Sequence, residues 1–360
     1  LSIRSAALYC GRSGRRGSLS GTETSNMAMK KLINDPMDAV DELVEGFALA
    51  NERLVRKHPR VNAVMRCDAP VAGKVAVVIG GGAGHEPLFL EYVGPGMADA
   101  AAHGQVFAAP SPDVILAAVR SVSSGNGVML LYNNYEGDRL NFDMAQDMAR
   151  AEGIEVDTVL INDEVASAPR GQEAQRRGTT ADHVVIKIAG AAAETKAPLD
   201  EVLRITRKAV AGARSLGVGL SSCTLPATGK EIFEIADDEM EIGMGLHGEP
   251  GVERTKLLTA DETMERVLPR ILDDLPYGDG DEVILVINGY GGSTRMEMFI
   301  VNRKLRKMLA EAGIKVHATE VGEFCTSQEM KGISVTLVKV DDELKRYFDM
   351  PCQCPCYVKP

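Results

Sequence analysis

Tryptophan is absent from the 360-residue chain, and aromatic residues make up only 4% of it. The core must therefore be built from aliphatic side chains, the palette of α/β proteins with buried strands. Positive charge is in deficit: 40 Lys and Arg stand against 51 Asp and Glu, for a net charge of −11. That balance excludes a broad nucleic-acid footprint, which needs a surplus of cations. No run of 18 apolar residues occurs, so neither a transmembrane helix nor a membrane partner is expected. Cysteine is sparse, with seven in the chain. Cys67, Cys223 and Cys325 are scattered without a disulfide spacing, which fits a reduced, cytoplasmic compartment. Also missing are a Walker A loop, a kinase-type glycine loop with its strand lysine, and the Rossmann fingerprint.

What is present fits two domains at about 150 residues each. Residues 1–28, rich in Ser, Gly and Arg, read as a disordered leader or non-native extension, with the natural domain starting at Met27 or Met29. Apolar runs of strand length are followed by glycine turns and helical patterns. "KVAVVIGGGAG" ends a strand near Ile79, "GVMLLYNNYEGD" another near Tyr132, and "IEVDTVLIND" is a third. "DRLNFDMAQDMARAEG" reads as a helix closed by Gly153. Helices are expected over about 182–195 and 199–216, then through "ETMERVLPRILDDL" with Pro269 bending or starting it. "DEVILVINGYGGSTRMEMFIVNRKLRKMLAEAG" gives strand, glycine turn and long helix. The alternation predicts an α/β fold of two domains, 29–200 and 201–350, with mostly parallel sheets covered by helices. Their boundary falls near 195–205. Residues 351–360, with Cys352, Cys354 and Cys356, lack C-x-x-C spacing and a nearby His, and read as a loose tail.

Ligands in open α/β sheets sit at the carboxyl ends of strands, and three loops occupy such places. "GGGAGHEP" (80–87) follows a buried strand, and its glycines let backbone approach a ligand closely. A structural turn explains the glycines but not the His85–Glu86 pair. "NNYEGD" (133–138) delivers Asp138 just before a helix, where an Asp is ordinarily an N-cap. "GMGLHGEPG" (243–251) surrounds His247 with glycines after the apolar MEIGMGL. The remaining histidines are blander: His58 precedes a Pro, His103 lies in a turn, His183 fits a helix start and His317 alternates within a strand. No H-E-x-x-H helix or other local ligand pair supports a metal among His85, Asp138 and His247, so no metal site is expected. Two histidines and a carboxylate suit acid/base or nucleophilic chemistry better.

Four segments in order, "GGGAGHEP", "NYEGD-x-LNF", "DDEMEIGMGLHGEPG" and "INGYGGSTRMEMFIVNRK", resemble the substrate-binding subunit of dihydroxyacetone kinase, over about Met29 to Tyr347. The resemblance implies a two-domain α/β homodimer acting as a phosphotransferase subunit in dihydroxyacetone (glycerone) and glycerol metabolism. It implies that His247 adds covalently to the substrate ketone as a hemiaminal, that His85 and Gly82 contact substrate, and that Asp138 assists proton transfer at the hydroxyl to be phosphorylated. A polyol without a carbonyl, such as glycerol, cannot form that adduct. The chain ends soon after this region, where some relatives continue into a helical nucleotide-binding domain. No cofactor is therefore expected on this chain. An adenine nucleotide with Mg²⁺ is expected on a separate kinase subunit, recharged by ATP exchange or by a component of a phosphoenolpyruvate-driven phosphotransferase system.

Two positions depart from the family pattern. Asn133 stands where dihydroxyacetone-specific members typically carry Lys, and Ala109 where they tend to have Ser. Losing a cation and a hydroxyl changes how a ligand is held, which leaves a larger ketose such as erythrulose as an alternative substrate. Some relatives that keep the histidine act as transcriptional coactivators, a second alternative.

Overall fold

The aliphatic runs at the centres of the sheets fold into strands that bury both faces, and the alternation of their side chains sorts them into different cores. The computed structural model describes residues 30–360, so the 1–28 leader lies outside the described residues. The first half contains α1 (Ala39–Ala50), β1 (Val55–Lys57), β2 (Ala63–Arg66), β3 (Ala76–Ala83), β4 (Ala100–Val106), α2 (Pro112–Val122), β5 (Val128–Asn133), α3 (Glu136–Ala151) and β6 (Val156–Ile161). Two helices follow, α4 (Asp182–Glu194) and α5 (Leu199–Ala211). The second half holds β7 (Ala213–Gly219), β8 (Glu239–Ile242), β9 (Glu253–Lys256), α6 (Ala260–Asp274), β10 (Glu282–Gly289), α7 (Arg295–Glu311), β11 (Lys315–Gly322), β12 (Gly332–Val340) and α8 (Asp342–Asp349). A hairpin of β13 (Cys352–Cys354) and β14 (Tyr357–Lys359) closes the chain.

The strands make two six-stranded sheets, in the orders β1-β2-β4-β3-β5-β6 and β11-β10-β12-β7-β8-β9. The expected α/β class holds, and the expected parallel pairing is that of β4-β3-β5-β6 in the first sheet. In the second sheet only β10 and β11 run parallel; its other pairs are antiparallel. On β3, Val77 and Ile79 face the central core while Ala76 and Val78 face α2 and α3, the two-residue period of a strand. On β10, Ile284 and Val286 face the same central core while Val283, Leu285 and Ile287 face α6 and α7. The layers therefore run helices, sheet, helices, sheet, helices.

Helix α4 lies in the middle layer, and every residue from Asp182 to Ala193 is buried. A helix apolar nearly all round belongs in a core. Burying Val184, Ile186 and Ile188 there contributes about 1.5–3 kcal/mol each against exposure. Residues 195–205, where the domain boundary is expected, take in the turn between α4 and α5 and the first half of α5. Asp163 stitches the halves together: its carboxylate accepts from the Thr179 and Ala181 amides at 2.7 and 3.1 Å and from the Ser215 hydroxyl on β7.

Three local expectations are corrected. The helix expected to reach residue 216 stops at Ala211, because Gly212 takes its last carbonyls and Ala213–Leu216 pair with β12. His103 lies in β4 rather than a turn, its backbone N–H bonded to Asn62. The cysteine tail is not loose: Cys352 and Cys354 are buried, and the Gln353 amide donates to the Pro95 carbonyl at 2.9 Å. Among the described residues, no helix is long and apolar enough to cross a membrane.

Candidate active site

Strand β3 runs through its glycines to Ala83, longer than the sequence indicated. The glycines serve close approach. A Cβ on Gly82 would lie 2.6 Å from the Ala108 amide nitrogen, and one on Gly81 would lie 2.2 Å from the Phe89 ring. Gly84, at φ +94°, then turns the chain in the left-handed region that favours glycine. His85 follows directly at the sheet's carboxyl edge.

His247 arrives from the other sheet, five residues after β8. Gly243 and Gly248 take positive φ, +86° and +81°, to make the loop. Gly245 leaves room for Glu249 to fold back, since a Cβ there would meet Glu249 Oε2 at 2.3 Å. Glu249 Oε2 accepts the His247 backbone N–H at 2.9 Å, and its Oε1 lies 3.4 Å from His247 Nδ1. The glycines around His247 thus fold a carboxylate onto its ring.

The two imidazoles meet, with Nε2 of His85 3.0 Å from Nε2 of His247. Nδ1 of His85 lies 2.7 Å from the Thr326 carbonyl. A carbonyl only accepts, so Nδ1 carries the His85 proton and Nε2 of the neutral ring is an acceptor. His247 Nε2 is then the donor between them. Burial, with His247 beside it, pushes His85 down to about 3, although the Thr326 carbonyl opposes this. His85 is accordingly neutral at physiological pH. It stacks on Phe107 at 4.9 Å, and Tyr135 meets His247 edge-on at 4.9 Å.

Asp138 completes the pocket. Helix α3 starts at Glu136, so Asp138 lies in the first turn, and the N-cap position is Tyr135, whose side chain caps nothing. The N-cap explanation for Asp138 therefore fails. Its Oδ1 is buried without a hydrogen-bond partner, and burial raises the carboxyl to about 7 against the pull of His247. For Glu249, burial works upward, but the hydrogen bond and charge of His247 and the Arg177 charge win and hold it at about 2.

Gly82, His85, Asn133, Tyr135, Asp138 and His247 all line one cavity of about 30 Å³. All four residues singled out from sequence, Gly82, His85, Asp138 and His247, thus come together. Pockets for drug-sized ligands are about 300–1,000 Å³, so this one suits a molecule of few heavy atoms and has no room for a nucleotide. Asn133 donates from Nδ2 to buried Asp182 at 2.8 Å, and its Oδ1 is unpartnered. Glu249 and Tyr135 sit inside the motifs, but nothing in the sequence marked their contacts with His247. Phe107 and Thr326 reach the site through tertiary packing alone. Among the described residues, no group of three His, Cys, Asp or Glu side chains could hold a metal.

Comparison with known proteins adds a family. Residues 45–356 match the Dak1 domain. The chain is 42% identical over 332 residues to the PTS-dependent dihydroxyacetone kinase 2, dihydroxyacetone-binding subunit DhaK of Listeria innocua, covering 91% of this chain and 99% of that protein. It is 41% identical over 331 residues to D-erythrulose kinase of Mycolicibacterium smegmatis, covering 92% of this chain but 57% of that longer protein. Among solved structures it resembles a dihydroxyacetone kinase operon co-activator, Dha-DhaQ, with TM-score 0.83 at 29% identity, covering 88% of this chain and 98% of that one.

Proposed function

We propose, for a chain that belongs to the Dak1 domain family, that it is the ketose-binding subunit of a dihydroxyacetone-type kinase, holding a short-chain ketone on His247 while its terminal hydroxyl is phosphorylated. The observation that carries this reading is the convergence of His247, His85 and unpartnered Asp138 on one small pocket. Nε2 of His85 takes the Nε2 proton of His247, and the lone pair so freed on His247 Nε2 adds to the ketone carbon. The C–N bond forms, the carbonyl π bond breaks, and His85 passes the proton on to the oxygen, giving the hemiaminal hydroxyl. Neutral His85, kept from protonation by burial, is suited to relay that proton without retaining it. Ionised Glu249 faces Nδ1 and favours positive charge on the ring during addition.

Covalent anchoring fixes the terminal hydroxyl, the positioning that phosphoryl transfer mainly requires. Asp138 takes the hydroxyl proton, and a carboxyl at about 7 is matched to that task at neutral pH. An adenine nucleotide with Mg²⁺, carried by a separate subunit, supplies the phosphoryl group; its recharging by a phosphotransferase system and the homodimeric state belong to the same proposal. The pocket's small volume supports keeping the nucleotide on the partner.

A four-carbon ketose such as erythrulose is a second reading, favoured by the neutral Asn133 in the pocket lining and by the likeness to D-erythrulose kinase. The coactivator reading has no use for a buried carboxyl at about 7. Titrating the chain with dihydroxyacetone, erythrulose and glycerol while following the His247 ring by NMR tests the proposal. A ketone-dependent adduct signal, absent with glycerol and lost in His247→Ala, is expected. A folded protein whose His247 ignores every ketose refutes it.

A further inference from the structure

In this acidic chain, residues 53–60 read RLVRKHPR, with Arg53, Arg56, Lys57, His58 and Arg60 and no carboxylate. The stretch forms β1 and the turn after it, and its Lys57–Arg60 end lines a second cleft, of about 590 Å³. The opposite wall comes from β4 and the loop into α2, including Ala109, which also lines the ketose pocket. The two cavities are neighbours across that loop.

Several features of this cleft fit one ligand chemistry. Lys57 and Arg60 line it, and neither has an ion pair among the described residues. The Arg60 backbone N–H donates to His58 Nδ1 at 3.2 Å, which leaves the ring proton on Nε2 as a further donor. Ser111, the N-cap of α2, makes no side-chain cap; Pro112 has no N–H and the Val114 and Ile115 amides bond the Ser111 carbonyl, which leaves the Asp113 amide as the spare donor of that helix end, beside the cleft. His103, only 2% exposed, lines the same cleft; its Nε2 lies 3.2 Å from Glu86, and its Nδ1 has no partner. An unmade hydrogen bond on a buried group costs about 1–3 kcal/mol, which a ligand bonding there would recover. The single carboxylate in the lining, Asp41, is held by the Asn62 amide.

We propose that this cleft binds a phosphate group. Paired cations, ring and amide N–H donors and a helix N-terminus are the elements of phosphate recognition, and a protonated phosphate oxygen can donate to His103 Nδ1. Binding of the anion stands on these residues alone. Only the carrier of the phosphate, the phosphorylated ketose or the partner's nucleotide, rests on the proposed function.

Calorimetric titration of the full chain with pyrophosphate, followed in parallel by NMR of the histidine rings, tests this. Saturable binding that perturbs His103 is expected, weakened tenfold or more in Lys57→Gln/Arg60→Gln, whose side chains lie outside the core. Parallel titrations with dihydroxyacetone phosphate and with a non-hydrolysable adenine nucleotide identify the carrier by which binds more tightly. Absence of saturable binding, or binding unchanged in the double variant, overturns the proposal. So does a cleft that responds only to an acidic protein and to no phosphate. The His247 adduct is recorded in the same samples. An adduct without phosphate binding sinks this inference alone, and phosphate binding without an adduct sinks only the covalent reading.

Discussion

Replacing Asp138 by Asn is expected to slow turnover and stabilise the fold at the same time. The Asp138 carboxyl is raised from 3.8 to about 7 because burial penalises its charge, and its Oδ1 has no partner. Between those values the unfolded chain has lost the proton that the folded chain keeps. Stability contributed by this group is therefore fully present below about 3.8 and lost as pH rises through about 7. The interval spans about 3 pH units at about 1.4 kcal/mol each, an upper bound of about 4 kcal/mol. Partial solvent access reduces this to about 1–3 kcal/mol. Asn is neutral throughout and avoids the cost. Urea unfolding of both proteins at pH 3.5 and pH 8 should show near-equal stability at the lower pH and an advantage of about 1–3 kcal/mol for the variant at the higher. Turnover with the nucleotide-carrying partner should fall about 10²–10⁴-fold, the usual contribution of a positioned base. A stability difference that does not grow with pH would refute the account of Asp138 as a buried, unpaired carboxyl.

Three further outcomes follow from the site. Gly82→Ala puts a methyl 2.6 Å from the Ala108 amide, which is backbone and cannot yield cheaply; a loss of about 1–3 kcal/mol in thermal unfolding, with weakened ketose binding by NMR, is expected. Glu249→Gln removes the charge facing His247 Nδ1 and should weaken the ketone adduct about tenfold, in line with the loss of an outer partner of a functional histidine, read from the same titration. Asn133→Lys places an ammonium beside Asp182, the present partner of the Asn133 amide; the ratio of erythrulose to dihydroxyacetone affinity should fall, and an unchanged ratio would remove Asn133 from substrate selection.

Much of this was legible from local pattern. Helix α7 announces itself through Thr294 and Glu297, which form a reciprocal capping box worth about 1 kcal/mol. His85 stood out because a structural turn explains the glycines before it but not a His-Glu pair at a strand's end, and His247 because glycines surround it after an apolar run. Other features depend on partners distant in sequence. The chain Ala100–Val106 carries no strand alternation, since β4 lies between β2 and β3 and opens with three buried alanines. Antiparallel pairing in the second sheet follows from strand order, which local periodicity does not encode. The tautomer of His85 depends on a carbonyl 241 residues away. The last ten residues gain their order by packing on Gly94 and Gly96, where a Cβ would strike the Gln353 and Pro351 carbonyls.

The two imidazoles belong to different sheets, His85 following β3 and His247 following β8, and the Thr326 carbonyl that orients the first comes from the second half as well. Neither half alone contains a reactive unit. A displacement of one sheet against the other by a single ångström would be read directly by the 3.0 Å gap between two nitrogen atoms. On the proposed reading, proton exchange across that gap gauges how the halves are docked.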